Sequence, residues 1–247
     1  MLEGKVALVT GSSKGIGSTI IKELAGSKCN VVINYNTDQK SAEDLKKHVI
    51  NTYNVECFIV KCDISSELEI KEMVNKIIDK FGKVDILVNN AGIAIDTLFF
   101  DKTKENFMKI LETNLVGTFL VSKYIGDIMY KNKFGKIVNI SSTNGINKYY
   151  PMCLDYDASK SGINSLTHNI SLQFAPYINV NAVAPGFIGT NNELKNMDKE
   201  FIELEEQKIF LKRYGKEEEI AKVVKFLVSD DASYINNQII VVDGGTY

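Results

Sequence analysis

Histidine is scarce in this sequence, which contains only His48 and His168 among its 247 residues. Zinc enzymes and Ser-His-Asp hydrolases depend on histidine as a metal ligand or as a general base, so both classes are disfavoured. The four cysteines form no C-x-x-C pair, and neither a zinc knuckle nor a redox motif is indicated. We therefore predict a protein without a metal site.

Long apolar runs and an excess of one charge are missing as well. No stretch approaches the roughly 20 apolar residues of a membrane-spanning helix, and the apolar run at 6–9 is too short for a signal peptide. The 29 basic and 31 acidic residues give a net charge of −2 without a basic block, which argues against nucleic acid binding. We expect a cytoplasmic protein that binds neither membranes nor nucleic acid.

Short runs rich in valine and isoleucine alternate with segments that carry apolar residues at helical spacing. The short runs predict buried strands at 5–10, 30–35, 56–61, 84–88, 136–140, 178–184 and 238–242. This alternation indicates an α/β fold, a Rossmann-type doubly wound parallel sheet of about seven strands with helices on both faces. Three prolines and no Gly/Ser-rich linker favour a single domain over 1–247. The polar segment at about 187–213 is predicted to be a substrate lid.

A glycine-rich turn follows the first predicted strand, where residues 10–17 read TGSSKGIG and a helix begins at once. Glycines allow a tight turn and a close approach to a pyrophosphate, and the helix N-terminus offers free N–H groups to the anion. A glycine-rich turn without a ligand remains the alternative, because such clusters are common.

Further motifs follow this turn in a fixed order along the chain. They are Asp63 after the third strand, Asn89-Asn90-Ala91-Gly92 after the fourth, Asn114, Ser142, the pair Tyr156 and Lys160, Pro185-Gly186, and Asp243-Gly244-Gly245. Together with the turn they resemble the short-chain dehydrogenase/reductase family over essentially the whole chain. The closest similarity is to bacterial 3-oxoacyl-acyl-carrier-protein reductases, which implies reduction of a 3-oxoacyl thioester in fatty-acid synthesis.

Tyr156 and Lys160 lie four residues apart on a predicted helix, so they share one face. Moving a phenol pKa from about 10 to about 7 requires roughly 4 kcal/mol. A lysine cation at about 4 Å supplies energy of that order at an effective dielectric near 20. The pair could therefore donate a proton to a carbonyl that receives a hydride. The resemblance adds Ser142 as a hydrogen-bond donor to that oxygen and Asn114 as the holder of a relay water.

The second predicted strand ends in Tyr35-Asn36, where NAD enzymes of this fold usually place an acid. The nearest acid, Asp38, follows two or three residues later, whereas Lys14, Asn36 and Thr37 could accept a 2′-phosphate. We therefore predict NADPH/NADP+ as the cofactor. The turn and the resemblance together assign cofactor contacts to Gly11, Ser13, Lys14, Gly15, Ile16, Gly17, Asn36, Thr37, Asp63, Ile64, Asn90, Ala91, Gly92, Tyr156, Lys160, Pro185, Gly186, Ile188 and Thr190.

Three hypotheses for the function stay open. The first is an NADPH-dependent reductase of an acyl-carrier-protein-bound substrate, which would dock through Lys131, Lys133 and Lys136. The second is the same chemistry on a sugar, polyol, steroid or other small ketone, and the third is a non-catalytic nucleotide sensor. Tyr149 and Tyr150, in the loop between Ser142 and Tyr156, either line the pocket or pack on the surface. The resemblance also implies a homotetramer built through the helices predicted around 105–130 and at 155–174.

Overall fold

The computed structural model describes residues 2–189 and 198–246. In this part of the chain seven parallel strands form one sheet in the order β3-β2-β1-β4-β5-β6-β7. The strands are β1 (Val6–Val9), β2 (Asn30–Tyr35), β3 (Cys57–Lys61), β4 (Ile86–Asn89), β5 (Gly135–Ile140), β6 (Ile178–Pro185) and β7 (Ile239–Val242). The predicted fold class is confirmed, with each strand within two residues of its predicted bounds.

Helices cover both faces of the sheet because successive strand residues point in opposite directions. The helices described are α1 (Gly15–Gly26), α2 (Gln39–Tyr53), α3 (Glu67–Phe81), α4 (Lys104–Leu111), α5 (Gly117–Lys131), α6 (Leu154–Phe174), α7 (Lys199–Lys208) and α8 (Glu217–Val228). Ala7 and Val9 pack with α1, α2 and α8, whereas Val6 and Leu8 pack with the helices of the other face, α3, α5 and α6. Burial on both sides explains why the strands are apolar throughout.

The chain reverses its direction of winding between β1 and β4, which are neighbours in the sheet. Leu8 of β1 stands opposite both Val32 of β2 and Leu87 of β4. The loops after β1 and β4 therefore leave the sheet in opposite directions and open a crevice at the carboxyl ends of the strands, where ligands of such folds bind.

One predicted helix is interrupted. The pattern around 105–130 predicted a continuous helix, whereas the structure has α4, a π-helical turn over Glu112–Val116, and then α5. A π turn accommodates one extra residue, and such turns occur frequently at functional sites. This turn contains Asn114, which is fully buried. Among the described residues, no helix combines the length and apolar content needed to cross a membrane.

Candidate active site

A cleft of about 830 Å³ opens at the carboxyl ends of the strands. It brings together the glycine turn after β1, the end of β2, the loops after β3, β4 and β5, the start of α6, and the end of β6. The predicted site residues that line it are Gly11, Ser13, Lys14, Gly15, Ile16, Gly17, Asn36, Thr37, Asp63, Ile64, Asn90, Ala91, Gly92, Ser142, Tyr156, Lys160, Pro185, Gly186 and Ile188. Asn114 is buried beside this cleft, and Thr190 lies outside the described residues.

The glycine turn presents the start of α1 to the cleft. Gly11 and Gly15 both adopt a φ of +59°, which side chains with a Cβ rarely allow. A Cβ at Gly17 would lie 2.5 Å from Asn90 Nδ2, so the close approach requires glycine there. No described side chain caps α1, although Asp38 caps α2 and Ser66 caps α3. The first N–H groups of α1 are therefore available to an anion.

Asparagine side chains hold this turn in place. Asn34 Oδ1 accepts a hydrogen bond from the Gly11 N–H at 2.9 Å, and Asn34 Nδ2 donates to the Cys62 carbonyl at 3.1 Å. Asn90 Nδ2 donates to the carbonyls of Thr10 and Gly11 at 2.9 and 3.1 Å. Sequence reasoning missed Asn34, although a buried asparagine within an apolar strand could have indicated it.

At the end of β2 the cleft contains both basic and acidic groups. Lys14, Asn36, Thr37 and Asp38 all line it. The Asp38 carboxylate accepts hydrogen bonds from the Ser41 N–H and Oγ–H, which hold its pKa below the ordinary value. Asp38 therefore lines the cleft while its side chain caps α2.

Asn36 and Asp63 join the ends of β2 and β3 across the cleft. Asn36 Nδ2 donates to Asp63 Oδ2 at 2.9 Å, and Asp63 Oδ1 accepts from the Ser65 N–H and hydroxyl. Burial raises the pKa of Asp63, but these hydrogen bonds outweigh it and the net pKa lies below the ordinary value. Asp63 is therefore an ionised acceptor at neutral pH.

Lys160 is buried beside Tyr156, and only 4% of its surface is exposed. Its Nζ lies 5.4 Å from the centre of the Tyr156 ring and donates to the Ile140 carbonyl at 2.8 Å. Burial disfavours the charged amine and lowers its pKa from 10.5 to about 8. The helix α6 thus aligns the two side chains on one face, as their spacing predicted, and the lysine remains mostly charged at pH 7.

Two serines follow β5, and their hydroxyls have different surroundings. Ser141 is buried, and its Oγ donates to Asn164 Oδ1 at 2.6 Å. Ser142 Oγ accepts from the Asn144 N–H at 3.2 Å and faces the cleft that Tyr156 also lines. Since the hydroxyl of Ser141 already has a strong acceptor, Ser142 is the better placed of the two to meet a ligand.

Asn114 contacts the protein rather than the cleft. Its Oδ1 accepts from the Ile93 N–H at 2.8 Å, and its Nδ2 donates to the Ile93 carbonyl at 2.9 Å and to Ser159 Oγ at 3.1 Å. The Thr118 hydroxyl donates to the Asn114 carbonyl at 2.7 Å. The π turn therefore connects the loop after β4, which lines the cleft, to the second turn of α6.

A buried ion pair supports the start of α6. Lys102 Nζ lies 3.0 Å from Asp155 Oδ2 and donates to the Ile95 carbonyl at 2.6 Å. Asp155 Oδ1 accepts from the N–H of Tyr156 at 3.0 Å. The side chains of Lys102 and Asp155 are 3% and 0% exposed, so both charges depend on this pairing. Sequence reasoning missed this pair because its members are 53 residues apart.

The two loop tyrosines have different surroundings, and one lysine of the predicted docking patch is buried. Tyr149 is 74% exposed, whereas Tyr150 packs on Phe187 with ring centres 5.6 Å apart. Lys136 was expected on a docking face, but it is buried within β5 and donates to Asn179 Oδ1, so that prediction is wrong. Lys131 and Lys133 are exposed just before β5 begins, near the amino ends of the strands, whereas the cleft lies at their carboxyl ends.

Comparisons with known proteins place the chain among oxidoreductases. A family model described as enoyl-(acyl carrier protein) reductase matches residues 11–247. Glucose 1-dehydrogenase 2 of Bacillus subtilis is 35% identical over 99% of this chain and 95% of its own length. The 3-oxoacyl-[acyl-carrier-protein] reductase FabG of Aquifex aeolicus is 38% identical over 100% of this chain and 98% of its own. The crystal structure of an NAD+-bound xylitol dehydrogenase superposes with a TM-score of 0.91 at 29% identity, covering 99% of both chains.

Proposed function

The chain belongs to the short-chain dehydrogenase/reductase family, and on this premise we propose that it is an NADPH-dependent carbonyl reductase with Tyr156 as proton donor. The family consists of oxidoreductases that act on CH–OH or carbonyl groups with a nicotinamide cofactor. One observation carries the proposal for this chain: Tyr156, Lys160 and Ser142 line the same cleft as the open N-terminus of α1.

The residues of the cleft fit a nicotinamide dinucleotide. The N–H groups at the start of α1 would bind its pyrophosphate, since no described side chain occupies them and the glycines leave room. Asp63 and Ile64 would flank the adenine, and Asn90, Ala91 and Gly92 would meet the adjoining ribose. Ile188, Pro185 and Gly186 line the other end of the cleft, where the nicotinamide would lie beside Tyr156.

The bound cofactor would supply a hydride to the carbonyl carbon of the substrate. Tyr156 would donate its phenolic proton to the carbonyl oxygen, and the Ser142 hydroxyl would hold that oxygen in place. The charged Lys160 would stabilise the phenolate that remains, because opposite charges at short range favour the ionised form. By family resemblance, Asn114 would hold a relay water that links Lys160 to solvent.

We favour NADPH over NADH because Lys14 and Asn36 face the region where a 2′-phosphate would lie. Asp38 opposes this preference, because the two hydrogen bonds that it accepts from Ser41 keep its carboxylate ionised. We expect kcat/KM to be at least about tenfold higher with NADPH, and Lys14→Ala to reduce that ratio by about tenfold, as expected for loss of one charge-assisted hydrogen bond. Equal use of both cofactors by the native enzyme would contradict this part of the proposal.

Two substrate classes are supported by different observations. Similarity to the Aquifex reductase supports a 3-oxoacyl thioester carried by an acyl carrier protein. Similarity to glucose 1-dehydrogenase 2, together with Asn144 and Glu205, which line a small cavity with Phe187, supports a small hydroxylated ketone or the corresponding alcohol. We further propose a homotetramer, because Val116 at the end of the π turn, Phe119 on α5 and Leu172 on α6 expose apolar surface in the region expected to pair.

The decisive test follows NADPH absorbance with an acetoacetyl thioester and a panel of hydroxyketones. Tyr156→Phe should lower kcat by about 10²–10⁴-fold with unchanged NADPH affinity, since only the proton is removed. Tyr149→Phe is the matched control, because Tyr149 is exposed and its hydroxyl bonds within its own loop. Full activity in Tyr156→Phe, or no turnover of any carbonyl compound by the native enzyme, would refute the proposal.

A further inference from the structure

A small cavity adjoins the cleft on the side of α7. It has a volume of about 70 Å³ and shares Asn144, Gly186 and Phe187 with the cleft. Glu205 of α7 lies in its wall, with only 4% of its surface exposed. A buried carboxylate costs several kcal/mol unless hydrogen bonds compensate for the lost water. The Glu205 carboxylate therefore requires hydrogen-bond donors at its buried position.

The partners of Glu205 use part of its hydrogen-bonding capacity. Lys208 Nζ lies 2.5 Å from Oε1, and the Tyr150 hydroxyl donates to Oε2 at 3.2 Å. A carboxylate offers about four acceptor positions, so about two remain. The Lys208 ammonium compensates the charge of the carboxylate, which favours a neutral polar ligand over an ammonium group.

A second buried group in this region lacks a partner. The Tyr214 hydroxyl makes no hydrogen bond to any residue that the structure describes, although Tyr214 is only 7% exposed. Its ring stacks on Phe187 at 5.3 Å between ring centres and lines the cleft. An unsatisfied buried hydroxyl is unfavourable, and a ligand that pairs with it would remove that cost.

We propose that Glu205 and Tyr214 form a substrate subsite that binds a neutral hydrogen-bonding group, a hydroxyl or an amide N–H, next to the aromatic faces of Phe187 and Tyr150. This inference rests on the proposed function, since it places the group on the same substrate that Tyr156 protonates. The group could belong to a hydroxyketone or to the amide-bearing arm of a thioester. A purely apolar acyl chain would leave the Tyr214 hydroxyl unpaired and the remaining acceptor positions of Glu205 unused, so it is disfavoured there.

Kinetics with matched ketones test the subsite. The substrates are acetoacetyl-N-acetylcysteamine, which has an amide N–H, dihydroxyacetone, which has hydroxyls, and ethyl acetoacetate, which has neither. Glu205→Gln should raise KM by about 10–100-fold, and Tyr214→Phe by about 3–10-fold, for a substrate that carries the donor. In both variants the KM for ethyl acetoacetate should change less than about twofold. Glu203→Gln, an exposed position on the same helix, should alter none of them.

The pattern of losses separates the possible outcomes. A rise in KM confined to the thioester would identify an amide N–H as the group bound at the subsite. A rise in KM confined to dihydroxyacetone would identify a hydroxyl as that group. Equal losses for all three ketones would indicate that Glu205 merely fastens α7 to Tyr150 and would overturn the subsite, as would the absence of any loss. Tyr214→Phe should leave the melting temperature unchanged or higher, because the removed hydroxyl has no described partner.

Failure of the proposed function would be recognised separately. If the native enzyme reduces none of the ketones, thermal stabilisation by pantetheine and by xylitol replaces the kinetic readout. A rise in melting temperature that Glu205→Gln and Tyr214→Phe abolish, and Glu203→Gln preserves, would support the subsite without the reaction. No rise with either probe would overturn it.

Discussion

Replacing Lys160 by methionine should abolish carbonyl reduction and, at neutral pH, make the folded protein more stable. Methionine fills a similar volume without a charge that must be buried. The fall of the lysine pKa from 10.5 to about 8 corresponds to roughly 3.4 kcal/mol of disfavoured charge, at about 1.36 kcal/mol per pH unit. Because Lys160 is only 4% exposed, solvent screening does not reduce this figure much.

One contact of Lys160 opposes this gain. Its hydrogen bond to the Ile140 carbonyl, at 2.8 Å, is lost in the variant. A hydrogen bond involving a charged group contributes about 1.5–3 kcal/mol. The difference leaves Lys160→Met more stable than the native protein by about 0.5–2 kcal/mol at pH 7.

The pH dependence of this difference provides the sharper test. Below about pH 8 the folded protein carries the charged lysine, and the full penalty is present. As the pH rises from about 8 to 10.5, the folded state loses its proton before the unfolded chain does, so the native protein gains stability relative to the variant. The advantage of Lys160→Met should therefore be largest at neutral pH and should shrink towards pH 10.

Urea unfolding at equal protein concentration measures the effect, with both proteins compared at each pH so that other titrating groups cancel. Loss of carbonyl reduction in the same preparation shows that a functional group was removed. A native protein that is the more stable of the two at pH 7 would refute the reasoning. So would a stability difference that does not narrow with rising pH.

Three further predictions follow from the same site. The kcat/KM for reduction should fall roughly tenfold between pH 7 and pH 9 as Lys160 loses its proton, and a flat profile would contradict its role. Lys102→Met should destabilise the protein by about 3–5 kcal/mol because Asp155 then stays buried and unpaired; adding Asp155→Leu should recover most of this loss in urea unfolding, and equal stability of the single and double variants would argue against the ion pair. Gly17→Ala should weaken NADPH binding at least about tenfold, since its Cβ would meet Asn90 Nδ2 at 2.5 Å, and NADPH fluorescence titration with native affinity would exclude the proposed cradle.

The strands and helices of the sheet could be predicted because each is encoded by the pattern of apolar residues within its own segment. Strands buried on both faces read as apolar runs, and the helices between them carry apolar residues at every third or fourth position. Asp85 is an example of a residue whose structure the local sequence pattern does not predict. The predicted fourth strand included it, but its side chain accepts the Val6 N–H at 2.9 Å and pairs with Lys83, and the strand begins one residue later.

The features that sequence reasoning missed depend on contacts between distant segments. Glu205 lies on a helix rich in charge and therefore reads as a surface residue, and its burial requires Tyr150, which lies 55 residues away. Lys136 reads as a member of a basic cluster, yet Asn179 of the neighbouring strand satisfies it inside the sheet. Ordered motifs indicated the catalytic candidates, but no motif indicated the groups that surround them.

The π turn around Asn114 gives this protein an unusual sensitivity to length. Each residue of an α-helix advances about 100° around the axis, so one residue more or less rotates every side chain beyond it. Deletion of one residue within 112–116 would replace the π turn by regular α-helix, and the contacts on one side of the turn would be lost. Either Asn114 would leave Ile93, or the buried stripe of Val121, Ile125 and Met129 would turn away from the sheet. Selection on this segment should therefore tolerate substitutions more readily than deletions.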